Sequence, residues 1–391
     1  MLFQDAQRRL QEFLAPLTVD EFLGRTLTGG FCRIAAAGPA ARVELLGPDP
    51  QAALLGAVYL APRLTFHSAN PVGAAPSLAG VADADEFARR IAELHARNYS
   101  VRFPELRPLS PALDELARAL EFMLHAPVTA SAFWSRGGMR APVHYDDHDL
   151  IVVQLRGDKR WYLAEKPSEL PNTWVAAESL ELGSHAAIDL HPGDLLYLPR
   201  GTLHSVDSDT ESLHLSIGFT PLTVREAVIA ALDQLSDFDR TLRTTLGGCV
   251  PAQFKGAGME SLAQRTADAV ERLRAACRTP GFMAAALQHR STRVVASLAA
   301  LAPPESVAAL AVDTELVHSG TGMCHLTASP GRIDFSYPGG HVYLHRGTEQ
   351  SLLFMVNTPR FRVRDIPGEI ADDVRLSLAA KLLGIGFLAR A

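Results

Sequence analysis

The sequence predicts an α+β fold in which an antiparallel β-barrel or jelly roll is flanked by helices. Residues 127–219 break into short apolar runs divided by Gly and Pro turns, with strands expected at 127–134, 143–155, 159–164, 187–190, 194–198, 204–207 and 212–219. The stretches on either side change to helical spacing. Inside the strand-rich part, His144 and Asp146 stand two residues apart, and His204 follows the turn Leu198-Pro199-Arg200-Gly201.

The whole chain sets the bounds. Its 391 residues suit two or three domains, and 47% hydrophobic with 20% charged residues is the balance of a globular protein. A net charge of −6 and a pI near 6.2 supply no global basic field for nucleic acid. Cys32, Cys249, Cys277 and Cys324 lie far apart without a C-x-x-C pair. That spacing excludes a cysteine zinc knuckle and offers no disulfide framework, so reduced thiols are expected. The first ten residues are polar and amphipathic, unlike a signal peptide, and the longest apolar run, 52–61, is half a bilayer span. A cytoplasmic protein with no membrane partner is expected.

The elements follow in order. Residues 2–23 carry apolar residues at helical spacing and predict two helices broken near Ala15-Pro16, with Thr18 or Asp20 as a cap. Residues 42–46 and 64–66 read as edge strands, and 70–82 as a loop. Residues 83–98 predict a helix and 99–103 a strand. Ser110-Pro111 starts the next helix, to about 125, with a Ser cap and Pro in the first turn. After Pro221 helices return: 223–235 capped by Thr223, then 237–245, 259–278 and 280–301. Pro303-Pro304 marks a boundary. Beyond it come short strands at 315–317, 324–328, 332–337 and 341–344 and a last helix, 370–384. The expected domains are therefore 1–222, 223–302 and 303–391.

The chemistry gathers between His144 and Phe219. On a strand, residues two apart share a face, so His144 and Asp146 project together. With His204 they make a 2-His-1-carboxylate set, which leaves three positions open and suits non-haem Fe(II). An H-x-D triplet alone is weak, but this one enters a long apolar strand, and Pro192-Gly193-Asp194 introduces the strand before the second histidine. His148 reads as a group facing the pocket or solvent, or as a ligand if Asp146 is not one, and Asp147 as structural. Lys159 shares a face with Trp161. It reads as a cation for a dicarboxylate, since a solvated hairpin charge fits Arg156, Asp158 and Arg160 better. His214 and Ser216 alternate with Leu213, Leu215 and Ile217 and could line the pocket; a core histidine is the other reading of His214. His67, His95, His185, His191, His318 and His325 show no ligand spacing and read as structural.

These residues resemble the JmjC-type Fe(II)/2-oxoglutarate oxygenases, and within them the ribosomal oxygenase group. The resemblance rests on His-Tyr-Asp-Asp at 144–147, Val-Gln-Leu-Arg-Gly-Asp-Lys-Arg-Trp at 153–161, Pro-Gly-Asp-Leu-Leu-Tyr-Leu-Pro-Arg-Gly at 192–201 and Ser-Leu-His-Leu-Ser at 212–216. It implies a double-stranded β-helix (cupin) core, a central helical dimerisation domain and a C-terminal winged-helix-like domain, the last from Phe361-Arg-Val-Arg-Asp-Ile-Pro-Gly368 and Gly386-Phe-Leu388.

By the resemblance, iron falls to His144, Asp146 and His204, and the far carboxylate of 2-oxoglutarate to Lys159. Cosubstrate orientation falls to His214, with Ser131 and Ser216 in the pocket. Ser131 and Phe133 depart from an Asn and a Tyr common at those positions, and the N-terminal Trp-bearing motif of the family is missing. The implied reaction uses O2 and 2-oxoglutarate to hydroxylate an Arg or His of a ribosomal protein, by a homodimer; the acidic net charge and the absence of a Lys/Arg cluster in 370–391 argue against direct DNA binding. The alternatives are a hydroxylase of a peptide or small-molecule natural product, and a metal-binding cupin without oxidative turnover.

Overall fold

A computed structural model describes residues 3–36, 40–165, 181–245, 257–302, 309–319 and 323–391. Leu2, Cys249 and the Pro303-Pro304 boundary lie outside the described residues. The chain divides into two compact units that meet in sequence at Pro221 and Leu222.

In the first unit, α1 (Phe3–Leu14) and α2 (Val19–Thr28) are separated at Ala15-Pro16 as expected. Thr18 caps α2 in a reciprocal capping box with Glu21. Then come β1 (Cys32–Ile34), α3 (Ala40–Val43), α4 (Pro50–Gly56), β2 (Thr65–His67), α5 (Ala84–Ala96) and β3 (Ser100–Phe103). The strand expected at 42–46 is absent. Arg42 is buried, and its guanidinium donates to the carbonyls of Phe13 and Gly193 at 2.8 and 2.9 Å, which a regular edge strand would not allow. Next come α6 (Pro111–Leu124), with Ser110 as its cap, β4 (Val128–Ser135), β5 (Met139–Arg140), β6 (Asp149–Arg156), β7 (Lys159–Ala164), β8 (His185–Leu190), β9 (Leu195–Leu198), β10 (His204–Ser208) and β11 (Ser212–Phe219).

The strands form two antiparallel sheets, ordered β1-β9-β6-β11-β4-β3-β2 and β5-β10-β7-β8. Strand alternation gives the large sheet two unlike faces. One carries Ala130, Ala132, Ile151, Val153, Leu215 and Ile217 and packs in a single core with Phe22, Phe87, Ile91 and Leu120 of the helices. Each Ile, Val, Leu or Phe among them contributes about 1.5–3 kcal/mol by leaving water. The other face turns inward. There Leu150, Val152, Leu196 and Leu198 meet Trp161, Leu163, Leu190 and Val206 in a second, smaller core between the sheets. The site described below shares this inner face.

His95 on α5 is 3% exposed, and its Nε2 lies 3.1 Å from the Trp134 carbonyl. Burial lowers its pKa from 6.5 to about 4. Below pH 6.5 the unfolded chain binds a proton here that the folded chain refuses, so stability is lost as pH falls from 6.5 towards 4. His95→Gln keeps a donor and should remove about 2–3 kcal/mol of that loss. Urea unfolding at pH 7 and pH 4.5 checks this; an unchanged loss in the variant would refute it.

The second unit holds α7 (Val224–Phe238), α8 (Ala257–Cys277) and α9 (Phe282–Ser297), then β12 (Glu315–His318), β13 (His325–Ser329), β14 (Arg332–Tyr337), β15 (Gly340–His345), α10 (Glu349–Asn357), β16 (Arg360–Arg362), α11 (Asp372–Gly384) and β17 (Leu388–Arg390). Two three-stranded sheets result, β16-β12-β17 and β13-β14-β15. The helix expected at 237–245 is only a 3-10 turn at Arg240–Arg243, and α10 was not expected. Among the described residues, no helix is long and apolar enough to cross a membrane.

Candidate metal centre

The H-x-D segment does not lie on a strand. β6 starts only at Asp149, so the expected strand 143–155 is shorter by six residues at its start. Backbone pairing with β10 orders the segment instead. His144 and His204 form one isolated bridge, exchanging N–H to carbonyl hydrogen bonds of 3.0 and 2.8 Å. The Gly201 N–H donates to the Asp146 carbonyl at 2.8 Å. Asp149 then holds the Pro199-Arg200-Gly201 turn, accepting from the Arg200 N–H at 3.1 Å and from the Tyr197 hydroxyl at 2.6 Å. The preceding turn is held by Asp194, which accepts from His191 N, Ala36 N and Arg33.

This clamping brings three side chains together. One ligand atom from each of His144, Asp146 and His204 lies within 4.8 Å of the others, and His204 Nε2 is 3.6 Å from Asp146 Oδ2. His144 Nδ1 lies 2.8 Å from the Pro142 carbonyl and His204 Nδ1 2.9 Å from the Thr202 carbonyl. A carbonyl can only accept, so each Nδ1 carries the hydrogen and each Nε2 offers its lone pair to the centre. Burial, with His144 adding to it, lowers the pKa of His204 to about 4, so the ring stays neutral. A mixed nitrogen and carboxylate set of this kind fits a divalent first-row metal such as Fe(II).

The space beside the triad is lined by buried polar side chains. Lys159 is 2% exposed; its Nζ lies 2.9 Å from His214 Nδ1 and 3.4 Å from the Phe133 carbonyl. No carboxylate among the described residues pairs with it, and burial lowers its pKa to about 7. His214 is buried, stacks on Phe133 with centroids 5.0 Å apart, and meets Trp161 edge-on at 5.3 Å. Trp161 also stacks on His204 at 5.6 Å, and its buried Nε1 finds no acceptor among the described residues. Ser131 and Ser216 face each other in register on β4 and β11, both buried. His148 stands apart from the metal group. Its Nδ1 is 2.7 Å from Asp147, and its ring covers Gly218 so closely that a Cβ there would lie 2.4 Å from Cδ2.

Two residues border the pocket that their spacing did not mark. His67 sits 5.8 Å from the Phe133 ring, and burial, with the nearby charges of His144 and Lys159, lowers its pKa to about 4. Its reading as merely structural therefore misses its place in the pocket. Arg102 on β3 pairs in register with Phe133 and donates to Ser131 Oγ at 3.0 Å. Alternation in Ser100-Val101-Arg102-Phe103 was the available signal, because Val101 and Phe103 are core residues and Arg102 must point the other way.

Residues 108–227 match the family model described as JmjC domain. The chain is 30% identical over 198 residues to a bifunctional lysine-specific demethylase and histidyl-hydroxylase NO66 of Drosophila persimilis, covering 46% of this chain and 28% of that protein. It is 30% identical over 124 residues to ribosomal oxygenase 2 of Rattus norvegicus, covering 30% of this chain and 26% of that protein. The matched part is thus about a quarter of the length of these curated relatives. Among solved structures, E. coli ycfD is similar in fold over 96% of this chain and 99% of its own, with a TM-score of 0.53 at 16% identity.

Proposed function

We propose that this protein, whose residues 108–227 form a JmjC domain, is an Fe(II)/2-oxoglutarate-dependent oxygenase that hydroxylates a side chain of a protein. The observation that carries the reading is the pairing of an open His144/Asp146/His204 triad with a buried lysine that lacks a counter-ion among the described residues. When bound, iron and 2-oxoglutarate supply the oxidising power, drawing on O2 and releasing CO2 and succinate as a C–H bond becomes C–OH.

The chain's own residues bind, orient and exclude water. His144 and His204 present Nε2 because backbone carbonyls hold each Nδ1, and Asp146 offsets one positive charge of the ion. Lys159 receives the far carboxylate of the cosubstrate, with His214 fixing the ammonium and Ser131 and Ser216 completing the polar wall. Trp161 and Phe133 keep that wall dry. A non-oxidative cupin has no use for a buried Lys159 with no carboxylate partner among the described residues, which disfavours that alternative.

The relatives' printed names, histidyl-hydroxylase and ribosomal oxygenase, support a His of a ribosomal protein as target, and an Arg there is the alternative that the sequence resemblance implies. For the second unit we read 223–302 as a homodimer contact, supported by exposed Val224, Val228 and Leu232 on one face of α7, and 303–391 as a winged-helix-like scaffold. A cytoplasmic enzyme suits such a target.

The test is direct. Purified full chain with Fe(II), ascorbate and O2 should convert 2-oxoglutarate to succinate slowly without a protein substrate. Output no greater than that of His144→Ala would remove the oxygenase reading.

A further inference from the structure

We infer that Arg102 is the residue that selects the substrate, and that it takes a segment of protein with an acidic side chain beside the hydroxylated residue. The inference rests on the oxygenase reading above and narrows it.

Arg102 is partly buried on the inner face of the large sheet. Its hydrogen bond to Ser131 Oγ uses one of five guanidinium donors, and no carboxylate among the described residues forms an ion pair with it. The opposite charge it feels is that of Asp146, which a bound cation would claim. Burying a guanidinium without a counter-ion is unfavourable, so the position makes sense when a ligand brings the anion. Ser131 holds one edge of the guanidinium and leaves the rest of the fork for a carboxylate, which it can grip with two parallel hydrogen bonds. Phe133, across the register, walls the same space without adding a competing acceptor.

The cosubstrate already has a cation in Lys159, on β7 of the other sheet. Arg102 is therefore spare for the substrate. A basic side chain would be repelled at this point, so the residue seated on Arg102 is an aspartate or glutamate and not a lysine or arginine.

The experiment selects random peptides on the full chain loaded with Mn(II) and 2-oxoglutarate, and measures 2-oxoglutarate binding by calorimetry on the same proteins. Peptides rich in Asp and Glu are expected from the natural chain. Arg102→Gln should lose that enrichment at least tenfold, Arg102→Lys should keep its sign, and Arg102→Glu should invert it towards Lys and Arg. Retained Mn(II) binding checks that each variant is folded. Basic, neutral or no enrichment on the natural chain would overturn the inference. So would an Arg102→Gln loss of 2-oxoglutarate affinity as large as that of Lys159→Ala, because Arg102 would then serve the cosubstrate. Failure of the oxygenase reading shows differently, as no succinate and no Lys159-dependent binding of 2-oxoglutarate, whatever the peptides do.

Discussion

Lys159→Met is expected to raise the 2-oxoglutarate concentration for half-maximal turnover about a hundredfold, while the iron requirement changes little. Removing one partner of a buried, hydrogen-bonded charge pair costs about 3 kcal/mol, and each 1.4 kcal/mol is tenfold. Methionine preserves the volume of the stem, so the loss reports the ammonium. The same lysine should set a pH dependence. Burial lowers its pKa to about 7, and only the charged form attracts a carboxylate. Below pH 7 affinity for 2-oxoglutarate should be flat; above it, affinity should fall about tenfold per pH unit as the ammonium is lost. Lys159→Arg keeps its charge throughout and should abolish the slope. Equal shifts in the iron and 2-oxoglutarate requirements of Lys159→Met, or a slope surviving in Lys159→Arg, would show the role to be misassigned.

Gly157→Ala should destabilise the first unit by about 3 kcal/mol or more, lowering the melting temperature on the order of 5–10 °C. Gly157 turns the β6–β7 hairpin at φ +59°, a conformation that costs an L-residue about 1–2 kcal/mol. A Cβ there would also lie 2.0 Å from the Glu211 carbonyl oxygen and 3.2 Å from Ser212 Cα. Both are backbone atoms at the start of β11, so the clash cannot be relieved by a side-chain rotation. Relief must move β11 off β6, and β11 carries His214 against Lys159. Weaker 2-oxoglutarate binding should therefore accompany the lower stability. Gly183→Ala, also at positive φ but with open space around it, should lose only the conformational part. Equal melting shifts in the two variants would refute the steric account.

Much of the barrel was legible because its strands alternate. The runs at 159–164 and 212–219 appear as β7 and β11 at the expected bounds; β7 buries one face, β11 buries both but keeps one apolar and one polar, and period-2 spacing records either difference. Helix starts at Thr18, Ser110 and Thr223 were legible for a similar local reason, a side-chain oxygen capping free N–H groups. The failures are non-local. Residues 42–46 have strand composition, yet Arg42 is drawn into a buried set of carbonyls more than twenty residues distant in either direction. The segment before β6 has the alternation of a strand, but it is ordered by His204 and Gly201.

The sequence by itself determined the donor types of the metal set, their spacing and the strand alternation that separates a polar face from an apolar one. Those are properties of residue identity and of a two-residue period. Only the tertiary structure decided that Lys159 is buried without an acid among the described residues, that His67 borders the pocket and that Arg102 reaches Ser131 there. Burial and missing partners depend on which strands become neighbours, and β2, β3, β4 and β11 are brought side by side from widely separated parts of the chain.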